Sequence, residues 1–335
     1  VDTASRRAGA YIIVAVLGGC SGGGGASPDQ DRAETDWELV TADHLVCPAP
    51  CSSASAAGNY ADDFAWDGDD LLVTALRKNI PEIDRFTPAT MTWVEVTKTF
   101  TVGRHQRVEI TPAGYFFVGD AVGEIAFFDR DGTRHAGLGD PMVDTSTGGG
   151  ALRVSPEGKP SVAAMPIVDS TTPPPSFPVL TELDPAGVAP PAETPMPGAT
   201  PDVRYDYAFD AAGRLVYPSK ADLSVPYSSA LTFVDRATKE AKVVMYPGHA
   251  DADGNHATAF QRGSGVWGPV PGGGVLGVSQ GARGYDLVKL TDDGQVTTVV
   301  HLGGDVATFS RLRLRDGHVF LAGYDGIWRS KQKLF

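Results

Sequence analysis

Two stretches of this chain carry fingerprints of known chemistry. Gly263-Ser264-Gly265-Val266-Trp267-Gly268 fits the G-x-G-x-x-G of dinucleotide sites, and Gly277-Val278-Ser279-Gln280-Gly281 fits the G-x-S-x-G of a serine hydrolase elbow. The first chemistry needs a helix N-terminus against a pyrophosphate, and the second needs a nucleophile on a strand-to-helix turn. Gly268 is succeeded by "PVPGGGVLGVS", and Gly281 by the alternating "ARGYDLVKLTDDG". Neither segment can begin a helix. Both fingerprints are therefore expected to be turn and strand glycines of one β unit.

Other residues offer binding rather than catalysis. "HADADGNH" (249–256) clusters the hard oxygen donors Asp251, Asp253 and Asn255, which suit a calcium ion, although the D-x-[DN]-x-[DN]-G spacing is not met. A solvated turn is the alternative, since Asp-Gly-Asn is also ordinary turn chemistry. Arg104 and His105, Arg204 and Tyr205, Arg262 and Arg311 all stand just ahead of apolar strand patterns. Converging on one mouth, with Asp62 and Asp63 at its edge, they would suit a small anionic ligand, because guanidinium binds carboxylate or phosphate bidentately. The alternative is that these arginines pair with acids such as Asp202 and Asp206, or face water. No Ser/His/Asp or Cys/His set is discernible, so no catalytic residue is assigned and the balance falls against an enzyme.

The elements that must position these groups repeat. "FAWDGDDLLVTAL" from Phe64, "VEITPAGYFFVGD" from Val108 and "LRVSPEGKPSVAA" from Leu152 share one form. So do "YAFDAAGRLVYPS" from Tyr207, "VWGPVPGGGVLGVSQ" from Val266 and "LRLRDGHVFLAG" from Leu312. Each is an apolar triplet, a turn ending in Gly68, Gly114, Gly158, Gly213, Gly273 or Gly317, and a second apolar run. A further strand pair comes next in most units, as in 83–96, 125–137, 180–190, 231–246 and 287–300. The turns are hairpin chemistry, and no helical period is sustained after residue 36. Four strands per unit of about 44 to 60 residues predict an all-β fold, a single β-propeller over 37–335. Six four-stranded blades are expected, with seven as the alternative. The last unit holds only three strands, so "WELVTAD" (37–43) is expected to supply its fourth and close the ring by pairing the chain ends. Residues 171–201 are proline-rich and are expected to be loops flanking one strand pair.

This repeat resembles the six-bladed propellers of the NHL, TolB-like and gluconolactonase-like kind. Gluconolactonase-like propellers hold a divalent metal with Glu, Asn and Asp from different blades, which the resemblance offers as a second reading: a metal-dependent hydrolase or lyase working in the channel. Only Asn59, with Asp62 or Asp63, stands at a comparable strand entry here.

The N-terminus reads as an address. Arg6 and Arg7 precede the apolar run "AGAYIIVAVLGG" (8–19), too short to span roughly 30 Å of hydrocarbon and of the length of a signal-peptide core. "LGGC" ending at Cys20 resembles the lipobox of bacterial lipoproteins, which implies a signal peptide over 1–19 and lipidation of Cys20. Residues 20–36 are Gly-rich and then acidic, a flexible tether. Of three cysteines, Cys47 and Cys51 remain, and an even remainder in an exported chain is expected to form one local disulfide, with a metal pair as the alternative. The net charge of −13 repels phosphate backbones and argues against nucleic acid. The expectation is a lipid-anchored, extracytoplasmic binding or scaffold protein at the outer membrane or cell surface. Its partner would be an envelope protein or a small ligand, and no cofactor is assigned beyond the candidate calcium.

Overall fold

A type I turn closed by a residue of positive φ builds a tight hairpin, and glycine takes that φ without a Cβ clash. In Thr111-Pro112-Ala113-Gly114, Gly114 N–H donates to Thr111 O at 2.9 Å, and proline at the second position presets the turn. Gly158 to Ser155, Gly213 to Asp210 and Gly273 to Val270 repeat the bond. All six glycines expected to end such turns have positive φ, from 65° at Gly68 to 91° at Gly114.

The computed structural model describes residues 37–41, 59–77, 80–98, 107–114, 116–119, 125–135, 152–164, 177–184, 192–199, 207–219, 228–247, 249–250, 256–257, 265–281, 284–302, 309–323 and 326–335. Among them every regular element is a strand. After β1 (Trp37–Leu39), the first sheet is an antiparallel meander of β2 (Asn59–Asp67), β3 (Asp70–Arg77), β4 (Ile80–Thr87) and β5 (Thr92–Lys98). The second holds β6 (Arg107–Ile110), β7 (Phe116–Gly119) and β8 (Ile125–Phe128). The third holds β9 (Leu152–Val154), β10 (Pro160–Ala164), β11 (Val179–Glu182) and β12 (Ala192–Pro195). The fourth holds β13 (Ala208–Phe209), β14 (Leu215–Ser219), β15 (Ser228–Val234) and β16 (Ala241–Pro247). A ribbon of β17 (His249–Ala250) and β18 (His256–Ala257) leads to the fifth sheet, β19 (Val275–Gly281), β20 (Gly284–Leu290) and β21 (Val296–Leu302). The closing sheet is β22 (Phe309–Arg315), β23 (His318–Gly323) and β24 (Gly326–Ser330), with β1 as its outer strand.

This is an all-β propeller whose blades carry three or four strands. The closing pair is the one expected: Trp37, Glu38 and Leu39 face Ser330, Arg329 and Trp328 in antiparallel register. Val40 N–H donates to Ile327 O at 2.8 Å, and Thr41 Oγ1 accepts from Ile327 N–H.

The expected set of six uniform four-stranded blades, or seven, is not what the described residues form. In the second sheet the outer strand shrinks to one bridge, Phe128 to Arg134. In the fifth, the inner segment meets β19 only through Trp267 and Leu276, because Pro269 and Pro271 lack donors and Gly272 to Gly274 turn the chain away. In the third, the outer strand lies at Ala192–Pro195, beyond the expected 180–190 pair. The second fingerprint resolves as expected: Ser279 is buried inside β19 opposite Asp286, and no helix comes after it among the described residues, while Gly263 and Ser264 of the first lie outside them.

Apolar clusters join successive sheets. Leu72, Ile83, Val108 and Phe128 link the first and second; Phe127, Leu152 and Val162 link the second and third. Leu180, Tyr207 and Tyr217 join third to fourth, and Leu231, Phe233, Val288 and Leu290 join fourth to fifth. Trp267, Leu276, Leu312 and Leu321 join fifth to closing sheet. Each fully buried Leu or Phe contributes about 1.5–3 kcal/mol.

Candidate functional site

The inner strands bring charged side chains together where the closing sheet meets the first two. β22 reads Phe-Ser-Arg-Leu-Arg-Leu-Arg, and side chains alternate across a strand. Leu312 and Leu314 therefore pack with the fifth sheet's Leu276 and Leu287. Arg311, Arg313 and Arg315 occupy the other face and meet the first sheet.

β-Bulges shape both sides of this meeting. The β2 register shifts between Ala61 and Asp63, leaving Asp62 as the extra residue, and the β22 register shifts between Phe309 and Arg311. A bulge re-aims the side chain beside it. Asp63, 0% exposed, turns its carboxylate onto two backbone donors, Phe64 N–H at 2.8 Å and Val108 N–H at 3.2 Å.

Arg313 is the centre of the cluster. Its Nη1 donates to Glu109 Oε2 at 2.8 Å, and its Nη2 donates to Val108 O at 2.8 Å and Asp63 Oδ1 at 3.2 Å. Its guanidinium lies 5.7 Å from the centre of the Phe64 ring. Arg311, 3% exposed, sets Nε 3.4 Å from Asp63 Oδ1 and donates from Nη2 to Leu152 O at 3.0 Å. That Nη2 also stands 3.8 Å from Glu109 Oε1, which makes no hydrogen bond among the described residues. Arg153 on β9 completes the set, donating to Leu152 O at 2.9 Å and lying 5.6 Å from the Tyr207 ring centre. Two guanidiniums of the closing sheet thus meet two carboxylates from the first and second sheets, and Arg153 of the third shares the Leu152 carbonyl with Arg311.

Burial pushes the Glu109 carboxyl above its usual range against the pull of Arg313, and the neighbouring Asp63 raises it further. Burial pulls Arg313 down, but the facing Glu109 and Asp63 carboxylates outweigh it and hold the guanidinium above its ordinary value.

A second set of ion pairs lies at the end of the molecule where the glycine turns are. Arg315 stacks over Trp66 at 4.1 Å and donates to Gly68 O. Arg130 pairs with Asp67 of the first sheet, Arg236 with Glu157 and Glu182 of the third, and Arg214 with Asp210 and Asp292 of the fourth and fifth sheets.

Of the residues the sequence singles out, Asp63 and Arg311 meet in the cluster. Asp62 lies in β2 at the bulge. Cys20, Cys47, Cys51, Arg104, His105, Arg204, Tyr205, Arg262, Asp251, Asp253 and Asn255 lie outside the described residues. Among the described residues no three His, Cys, Asp or Glu side chains group closely enough to hold a metal ion. Sequence reasoning missed Glu109, Arg153 and Arg313. Their signal was present: a charged residue at the middle of the inner triplets Val108-Glu109-Ile110 and Leu152-Arg153-Val154, and the Arg–Leu alternation of 311–315.

No family model and no curated protein matches the chain. Among solved structures, streptogramin B lyase is similar at 10% identity, over 89% of this chain and 98% of that one, with a TM-score of 0.49. A protein from Lactobacillus plantarum is similar at 14% identity, over 79% and 77%, with a TM-score of 0.47. TolB from Acinetobacter baumannii is similar at 17% identity, over 55% and 42%, with a TM-score of 0.38.

Proposed function

We propose that this chain is an extracytoplasmic binding or scaffold protein, exported by residues 1–19, held by a lipid on Cys20 through the tether 20–36, and presenting the propeller of 37–335. The observation that supports the reading is the fate of the inner-strand charges. Asp63, Glu109, Arg153, Arg311 and Arg313 are engaged with one another or with backbone across several sheets. Such cross-bracing suits a rigid platform. Recognition is then assigned to the segments that join one sheet to the next, where Arg104, His105, Arg204, Tyr205 and Arg262 stand in the sequence, and to a protein partner or a small anion as their target.

The test is photocrosslinking in the native envelope. A photoreactive residue at 104, 204 or 262 is expected to give a discrete adduct that the same residue at 90 or 131, in the glycine-turn end, does not give. Identical adduct patterns from both ends would refute recognition at the proposed end. Replacing Cys20 by Ala is expected to release the chain from the membrane fraction, and continued membrane retention would refute the anchor.

A further inference from the structure

We propose that β16 is a docking edge for a second copy of this chain, which adds its own β5 as an antiparallel strand, so that copies join head to tail.

The inference rests on a comparison of the outermost strands. Such a strand can template pairing with another chain, and proteins blunt it by shortness, charge, proline, a bulge or a cover. β1 has three residues, and β12 carries the exposed Glu193 and ends at Pro195. The four residues of β8 are buried. β21 shifts register between Leu287 and Val288, which leaves Val299 as its extra residue. β16 holds an unbroken register with β15 over all seven residues, and before Pro247 its one charge is Lys242. Val243, 58% exposed, and the exposed Met245 stand together on one side of it. Asp235 N–H donates to Glu240 O at 2.9 Å, which makes that pair the hydrogen-bonded one. By the alternation of an antiparallel ladder, the N–H and C=O of Ala241, Val243 and Met245 then point away from β15.

Charge complementarity selects the occupant. β5 is the outermost strand of the first sheet, and Val94, 61% exposed, precedes its bulge at Val96. With Val94 set opposite Val243, an antiparallel pairing brings the exposed acid Glu95 opposite Lys242 and Thr92 opposite Met245. Lys242 is mostly exposed, its Nζ 4.0 Å from Asp292. Apolar and opposite-charge cross-strand pairs both favour that register. A β16 strand facing another β16 at Val243 gives Lys242 only Val244, and centring the pair on Lys242 sets two lysines opposite each other. The first and fourth sheets have two sheets between them in either direction round the ring. One contact therefore leaves a β5 and a β16 open at the two ends, and growth is linear.

Sedimentation of the full chain over a range of concentrations tests this. Mass is expected to rise with concentration. Glu95→Lys or Lys242→Glu alone is expected to weaken association roughly fivefold or more, with an unchanged circular dichroism spectrum. An equimolar mixture of the two variants is expected to associate as wild type does, because each altered strand then meets the opposite charge on the other chain. Where a charge variant fails to fold, Val243→Thr, which keeps the branched shape and loses the apolar contact, is expected to weaken association likewise. A chain that stays monomeric throughout has left β16 to some other strand and would overturn the proposal. So would association that ignores the substitutions, or a mixture that associates no better than its parts.

Discussion

The interface between the fourth and fifth sheets and the one between the closing and first sheets do the same job with different materials. At the former, Val216, Leu231, Phe233, Val275, Val288 and Leu290 interlock in an apolar layer, and the ion pair Arg214–Asp292 stands at its part-exposed glycine-turn end. At the latter, an apolar layer of Phe64, Val73, Phe86, Phe320 and Ile327 lies beside Arg311, Arg313, Asp63 and Glu109. The sheets of the first interface are consecutive in the chain, and their packed strands lie nearer in sequence. The second joins segments about 250 residues apart, Asp63 to Arg313, and must select one partner surface from many. Directional bonds supply selection where covalent proximity does not, at the cost of burying charge.

The comparison breaks most visibly at Arg313. Arg313→Met removes the cation hydrogen-bonded to both buried carboxylates and leaves them only the more distant Arg311, so a loss of about 3–5 kcal/mol is expected in urea unfolding. A loss of under about 1 kcal/mol would mean that the apolar layer alone holds the closing interface. At the apolar interface, Leu290→Ala is expected to cost about 2–5 kcal/mol through lost burial and a cavity. That cost should not vary with salt or pH, and a marked variation would dissolve the distinction between the two interfaces.

Glu109→Gln sharpens the contrast through pH. Burial holds the folded carboxyl above its ordinary 4.5, so the folded protein binds that proton before the unfolded chain does. Stability from this group therefore rises as pH falls through the raised folded value, and the gain is complete below about 4.5. Wild type should gain on Glu109→Gln as the pH is lowered from neutral across that window in parallel denaturation curves. A constant difference would contradict an ionisable carboxyl at the interface. The smallest effect is expected at Asp69, whose carboxylate meets Arg315 in full contact with water. Asp69→Ala should leave the unfolding midpoint unchanged, because a solvated pair contributes little.

The architecture was legible because its determinants are local. Gly114 after Thr-Pro-Ala, or Gly158 after Ser-Pro-Glu, specifies a turn within four residues, and alternation specifies the strands on either side. Even the pairing of Trp37–Leu39 with Gly326–Ser330 came from counting strands and finding one absent. The reduced blades were less legible: Pro269 and Pro271 interrupt a strand whose apolar pattern, Val266 and Trp267, still reads as one. The ionic cluster was hardest. Glu109, Arg153 and Arg313 each stand inside a short apolar strand, where a charge reads as an outward-facing residue. Only the ring turns those positions toward one another, and the bulges at Asp62 and Ser310 that aim Asp63 and Arg311 leave no mark in the alternation.

The most direct measurement is a double-mutant cycle between Arg313 and Glu109, with Arg313→Met, Glu109→Gln and the pair compared by equilibrium unfolding. If the closing sheet is held to the second sheet through this contact, the two losses fall short of additivity by about 1–3 kcal/mol. Additivity within about 0.5 kcal/mol would show that the two side chains do not sense each other, and the closing interface would have no ionic basis.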